Sequence, residues 1–162
     1  MKKALRSLFD LACAAVVIAA LLALILQIKG IQPYAVVSGS MEPDIHVGSM
    51  CFIDTEVPYS RIREGDVIAF SQGDLQVTHR VIGISDQGME TKGDANAHSD
   101  GTTTTKKNYL GKNMGSVPYL GYVMTFLQTD RGKVMVLTGV TALFILAALL
   151  DQKEQDIQED LI

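Results

Sequence analysis

The stretch from Leu11 to Ile28 is built from Ala, Val, Leu and Ile, broken only by Cys13 and Gln27. A helix needs about 17–25 such residues to cross a bilayer core, and this run meets that length. Lys2, Lys3 and Arg6 precede it, which also suits a cleavable leader. The apolar core, however, exceeds the ~7–15 residues of a typical leader, and no small-x-small site follows Ile28. We read residues 1–29 as a short cytoplasmic N-terminus with an uncleaved first transmembrane helix. A second run, Val134 to Leu150, holds nothing more polar than Thr138 and Thr141 and meets no charge before Asp151. Its length favours a second transmembrane helix, 134–150, over a buried core helix.

Basic residues near the ends of a span set its orientation. Lys2, Lys3 and Arg6 hold the N-terminus in the cytoplasm, so residues 30–133 are expected outside the cell membrane. The acidic tail, 151–162, then returns to the cytoplasm. Part of the net charge of −4 comes from this tail, and the sign argues against a nucleic-acid partner.

Between the two runs the pattern is that of a mainly β domain. Short strand-like stretches occur at 50–54, 67–71, 76–85, 89–92 and 107–112, separated by Gly- and Asp-rich pieces. Residues 67–85 read as a hairpin around Gln72–Gly73–Asp74, and the low-complexity "GTTTTKK", residues 101–107, as a solvated loop or an edge strand. Tyr119, Tyr122 and Phe126 suit either a membrane interface or the aromatic core of the β domain. Cys13 lies in the first span and Cys51 in the outer domain, so no disulfide is expected. "GSMCFID" makes Cys51 a small apolar strand residue rather than a nucleophile.

The candidate chemistry starts at "VVSGSMEPD", residues 36–44. A serine hydroxyl attacks only when an oriented base takes its proton. Three histidines are available. His46 follows the serine turn closely and is expected in solvent, and His98 lies in the polar loop "DANAHSD". His79 shares a strand face with Val77 and Val81 by period-2 spacing. It is either a satisfied core residue or a base held against a cleft. Asp94 and Asp100 follow in the next loop, where carboxylates are often turn formers, and Asp94 after Gly93 fits that role better than Asp100. His79, Asp94, His98 and Asp100 are also possible metal ligands. Their spacing matches no common zinc hydrolase motif, so no metal and no cofactor is expected.

"SGSMEP", "REGDVIAF", "THRVIG" and "KGDANAHSD", in this order behind a membrane anchor, resemble type I signal peptidases. The likeness extends through "VPYLGYV" and covers nearly the whole chain. It is nearest the Ser-His-Asp branch of SipW-like enzymes and the endoplasmic-reticulum catalytic subunit. The other branch has a lysine where this chain has His79. Lys92 belongs to the "KGD" box, where the histidine branch also has lysine. The resemblance implies a signal peptidase I-like β fold, a mainly β extracytoplasmic catalytic domain flanked by two transmembrane helices.

It further implies a serine endopeptidase that removes signal peptides from exported preproteins after small residues at −1 and −3. Ser40 matches the nucleophile and His79 the base. Asp100 matches the aspartate that orients the base, and Asp94 a second aspartate required near the site. Ser38 matches the hydroxyl that assists the backbone N–H of Ser40 at the oxyanion. Gly39 is expected to let the backbone turn so that Ser40 faces outward. Where the family often has Gly-Asp after the serine box, this chain has Gly48-Ser49, and Ser49 is read as structural. Two rival readings are a catalytically silent membrane anchor subunit presenting preproteins or fibre subunits to a partner, and a Cys51-dependent transpeptidase.

Overall fold

The computed structural model describes residues 2–159, without the side chains of residues 2–5, 8, 147 and 149–159. The chain divides into two units. One gathers helix α1 (Lys2–Ile28) through Leu24 with the chain from Phe126 onward, mostly helix α3 (Asp130–Glu159). Within α1, Phe9–Ile28 is 20 residues long and apolar enough to cross a membrane, and it is the only such helix found among the described residues. The apolar run Val134–Leu150 lies within α3, but the side chains of residues 147, 149 and 150 fall outside the described set. Of the acidic tail, residues 160–162 lie outside the described residues.

The other unit, Ile25–Thr125, is built on one antiparallel sheet. Its strands are β1 (Ile31–Ala35), β2 (Met50–Asp54), β3 (Val67–Gln72), β4 (Leu75–Ser85), β5 (Gly88–Lys92), β6 (Thr103–Thr104) and β7 (Tyr109–Val117). Their spatial order is β1-β2-β7-β3-β4-β5-β6. The expected stretches at 50–54, 67–71, 76–85 and 89–92 appear as β2 to β5. The stretch at 107–112 starts later and runs on to Val117. The Thr-rich segment forms the edge strand β6. Strand β1 was not anticipated. It contains Pro33, which lacks a backbone donor and is tolerated at the sheet edge that β1 occupies.

Strand alternation places the core on both faces of β3. Ala69 packs with Met41, Ile45, Cys51 and Ile53. Ile68 and Phe70 point the other way and pack with Ile62, Val81 and Met89. The β3–β4 hairpin closes through a two-residue turn, Gly73–Asp74, between paired Gln72 and Leu75. Gly73 takes the positive φ of +61° that a tight hairpin requires at its first position. Residues 120–128 form a short helix, α2 (Leu120–Gln128). Tyr119, Tyr122 and Phe126 are exposed, so they are not the aromatic core of the β unit.

Candidate active site

Ser40 lies in the loop between β1 and β2, and the loop is closed at its neck. The Val36 N–H donates to the Ser49 carbonyl, and the Gly48 N–H donates back to the Val36 carbonyl, both at 2.9 Å. Gly48 sits at φ +80°, and a Cβ there would overlap the Tyr122 ring at 1.9 Å. Inside the loop the Ile45 N–H donates to the Met41 carbonyl, forming one helical turn. Met41 and Ile45 are almost fully buried in the core. Two apolar anchors, Met41 next to the serine and Ile45 one turn later, therefore hold its position.

The turn itself does not depend on Gly39 as expected. Gly39 has no positive φ, and a Cβ there would meet only ordinary contacts at 3.5 and 3.8 Å. The glycine that the serine needs is Gly93, in the loop after β5. A Cβ on Gly93 would lie 2.6 Å from the Ser40 carbonyl oxygen. Its absence lets the Ala95 N–H reach that carbonyl at 2.9 Å. The loop from Gly93 thus backs Ser40 from behind.

His79 sits on β4, paired with Ile68 of β3. Its side chain is only 9 % exposed, and the Phe70 ring packs against it in a T-shaped contact at 6.3 Å between centroids. Its Nε2 is 3.0 Å from Ser40 Oγ. Its Nδ1 faces both oxygens of Asp100, at 2.9 and 2.8 Å. Ser, His and Asp stand in the linear order that proton transfer through an imidazole requires. Ser38 Oγ is 3.3 Å from Ser40 Oγ. The Ser40 N–H has no hydrogen-bond acceptor among the described residues, so it is available to an oxyanion.

Asp94 has a different partner. Arg80, on the opposite face of β4 from His79, donates from Nε and Nη2 to the two oxygens of Asp94 at 2.9 and 2.7 Å. The same guanidinium reaches Asp44 at 2.7 Å and the Gly65 carbonyl at 2.9 Å. It joins the serine loop, strand β4 and the loop carrying both aspartates. The bond to Asp94 holds the Arg80 pKa above its ordinary value, against the opposing effect of burial. His46 is exposed and bonded to Glu42, and His98 is exposed in its loop. Among the described residues no three His, Cys, Asp or Glu side chains converge on a metal position.

A cleft of about 420 Å³ opens beside the serine. Residues 34–38 form one wall and residues 75–79 the other, over an apolar floor that includes Met41, Ile45, Cys51 and Ala69. Burial pushes the Cys51 thiol up to about 11, so it is a packing group. Ser49 is buried as well, and its hydroxyl has no partner among the described residues.

The signal peptidase (peptidase S26) family profile matches residues 9–151. The chain belongs to that family. Signal peptidase I W of Bacillus subtilis (strain 168) is 36 % identical over 86 residues, covering 50 % of this chain and 45 % of the relative. Signal peptidase complex catalytic subunit SEC11C of Homo sapiens is 36 % identical over 112 residues, covering 60 % of this chain and 57 % of the relative. The Mus musculus protein of the same name matches with the same figures. The chain spans about half the length of these curated relatives.

Within this signal peptidase fold, the sequence reading missed three contributors. They are the Arg80 clamp, the close approach of Gly93 to Ser40, and Thr91, whose hydroxyl meets Asp100. Thr91 carried a readable signal, because it shares a strand face with buried Met89, alternating with exposed Glu90, and directly precedes the "KGD" box.

Proposed function

We propose that this chain is a membrane-bound serine endopeptidase that removes N-terminal signal peptides from exported preproteins. The observation that carries the reading is the contact of Ser40 Oγ with His79 Nε2 at 3.0 Å, with Asp100 against the far nitrogen. His79 takes the Ser40 proton as Oγ attacks the scissile carbonyl, then gives it to the leaving amine. Asp100 fixes the imidazole and stabilises its charged form. The Ser40 N–H and the Ser38 hydroxyl receive the oxyanion. Asp94 acts through Arg80 and supports the site rather than the proton path.

An extended substrate lies in the cleft as an added strand between residues 34–38 and 75–79. Its −1 and −3 side chains meet the apolar floor, which favours small residues there. In this reading α1 anchors the enzyme and Val134–Leu150 forms a second span. The domain at 30–133 is then extracytoplasmic, with the bilayer and the preprotein as its partners. The test incubates the purified full chain in detergent with one preprotein. Wild type releases the mature product and Ser40→Ala does not. An intact preprotein with wild type favours a silent anchor subunit, and cleavage by Ser40→Ala overturns the assignment of the nucleophile.

A further inference from the structure

The carboxylate of Asp100 is 8 % exposed, so water satisfies little of it. A buried carboxylate needs hydrogen-bond donors for its lone pairs. Among the described residues two side chains supply them. His79 Nδ1 is one, and it lies almost midway between the two oxygens at 2.9 and 2.8 Å. The other is Thr91, whose Oγ1 donates to Oδ2 at 2.6 Å. Thr91 itself is fully buried on β5, one residue before the strand ends, directly across from Val81. Its carbonyl also accepts the Asp100 N–H at 2.9 Å. One residue therefore holds Asp100 at both its main chain and its side chain.

The consequence follows from the geometry at His79. With a single donor almost equidistant from two oxygens, the imidazole does not by itself set the rotation of the carboxylate. A second donor on Oδ2 does. Asp100 hangs from a loop, whereas Thr91 is locked in a paired strand, so the rigid element orients the less rigid one. We propose that Thr91 is a positioning residue of the active site, whose hydroxyl sets the carboxylate of Asp100 and through it the ring of His79. The role needs an O–H at this position and not merely a side chain of the right volume. Val would fill the space of Thr91 and leave Oδ2 facing a methyl group. Ser would restore the donor while removing the methyl.

This inference rests on the proposed peptidase function, and its test keeps the two apart. The full chain in detergent is given a fluorogenic peptide spanning an Ala-x-Ala cleavage site, and kcat and KM are measured separately. Thr91→Val is expected to lower kcat about tenfold with KM nearly unchanged, and Thr91→Ser to stay close to wild type. In an Asp100→Ala background, read by single turnover, Thr91→Val is expected to cost nothing further, because the group it positions is gone. Three results overturn the inference: wild-type kcat in Thr91→Val, equal losses in Thr91→Val and Thr91→Ser, or the same fold loss with and without Asp100. If Thr91→Val fails to fold, impaired Thr91→Ser with a normal melting temperature also overturns it, and wild-type activity of Thr91→Ser supports the need for the hydroxyl. A wild-type chain that leaves the peptide intact refutes the proposed function and takes the inference with it.

Discussion

Replacing each aspartate by asparagine separates the two acids of the "KGDANAHSD" loop. Asp100→Asn keeps the shape but removes the charge facing the imidazolium that forms during attack. At the observed 2.8 Å, that pairing amounts to about 6 kcal/mol at an effective dielectric of ~20. A neutral amide in its place returns about 1–2 kcal/mol as an ordinary hydrogen bond. The difference, about 4 kcal/mol, corresponds to roughly 10³ in rate. Asp94→Asn instead weakens a two-point grip on Arg80, which keeps its bonds to Asp44 and to the Gly65 carbonyl. That change should cost stability first, about 1–2 kcal/mol for a partly exposed pair, and rate only through loosening. Single-turnover cleavage of a fluorogenic signal-sequence peptide measures the first effect, and thermal melting in the same detergent measures the second. This assignment of the two acids fails if Asp94→Asn loses more rate than Asp100→Asn while its melting temperature is unchanged. It also fails if Asp100→Asn stays within tenfold of wild type.

Other perturbations probe neighbouring parts of the same geometry. His79→Ala should remove measurable cleavage, whereas His46→Ala and His98→Ala should retain most of it, since both of those rings are exposed; a preprotein-processing assay in membranes reads all three. Cys51, with its thiol raised to about 11, carries a thiolate fraction on the order of 10⁻⁴ at pH 7. N-ethylmaleimide should therefore leave activity intact on the folded enzyme, and rapid stoichiometric inhibition would revive a thiol mechanism. Gly93→Ala should lower both melting temperature and kcat, because its methyl would fall 2.6 Å from the Ser40 carbonyl oxygen; a variant with wild-type values would show that the loop yields without cost.

The sequence alone was enough for elements whose signal is local. A run of apolar residues makes α1 a candidate span, because length and hydropathy are properties of one segment. Strands β2 to β5 were legible because alternation and Gly-Asp punctuation reflect neighbours a few residues apart. His79 could be placed on an apolar face by the same period, and Ser40 by its motif. Strand β1 was not legible, since it owes its form to the edge of β2 and hides a proline in a sheet. Helix α2 is too short for its period to stand out.

The division of labour between Asp94 and Asp100 needed the tertiary structure. Six residues apart in one loop, they are chemically identical, so residue type does not tell them apart. Backbone pairing of Asp100 with Thr91 turns its carboxylate toward His79, while Asp94 meets Arg80 on the other face of β4. The same holds for glycine. The motif pointed to Gly39, but the close approach falls at Gly93, more than fifty residues away, where one loop presses against the back of another. The residue types that do the chemistry can be read from the chain, because chemistry is carried by side-chain identity. Which of two equivalent groups acts, and what holds it there, depends on contacts between segments distant in sequence, and only the folded sheet brings those together.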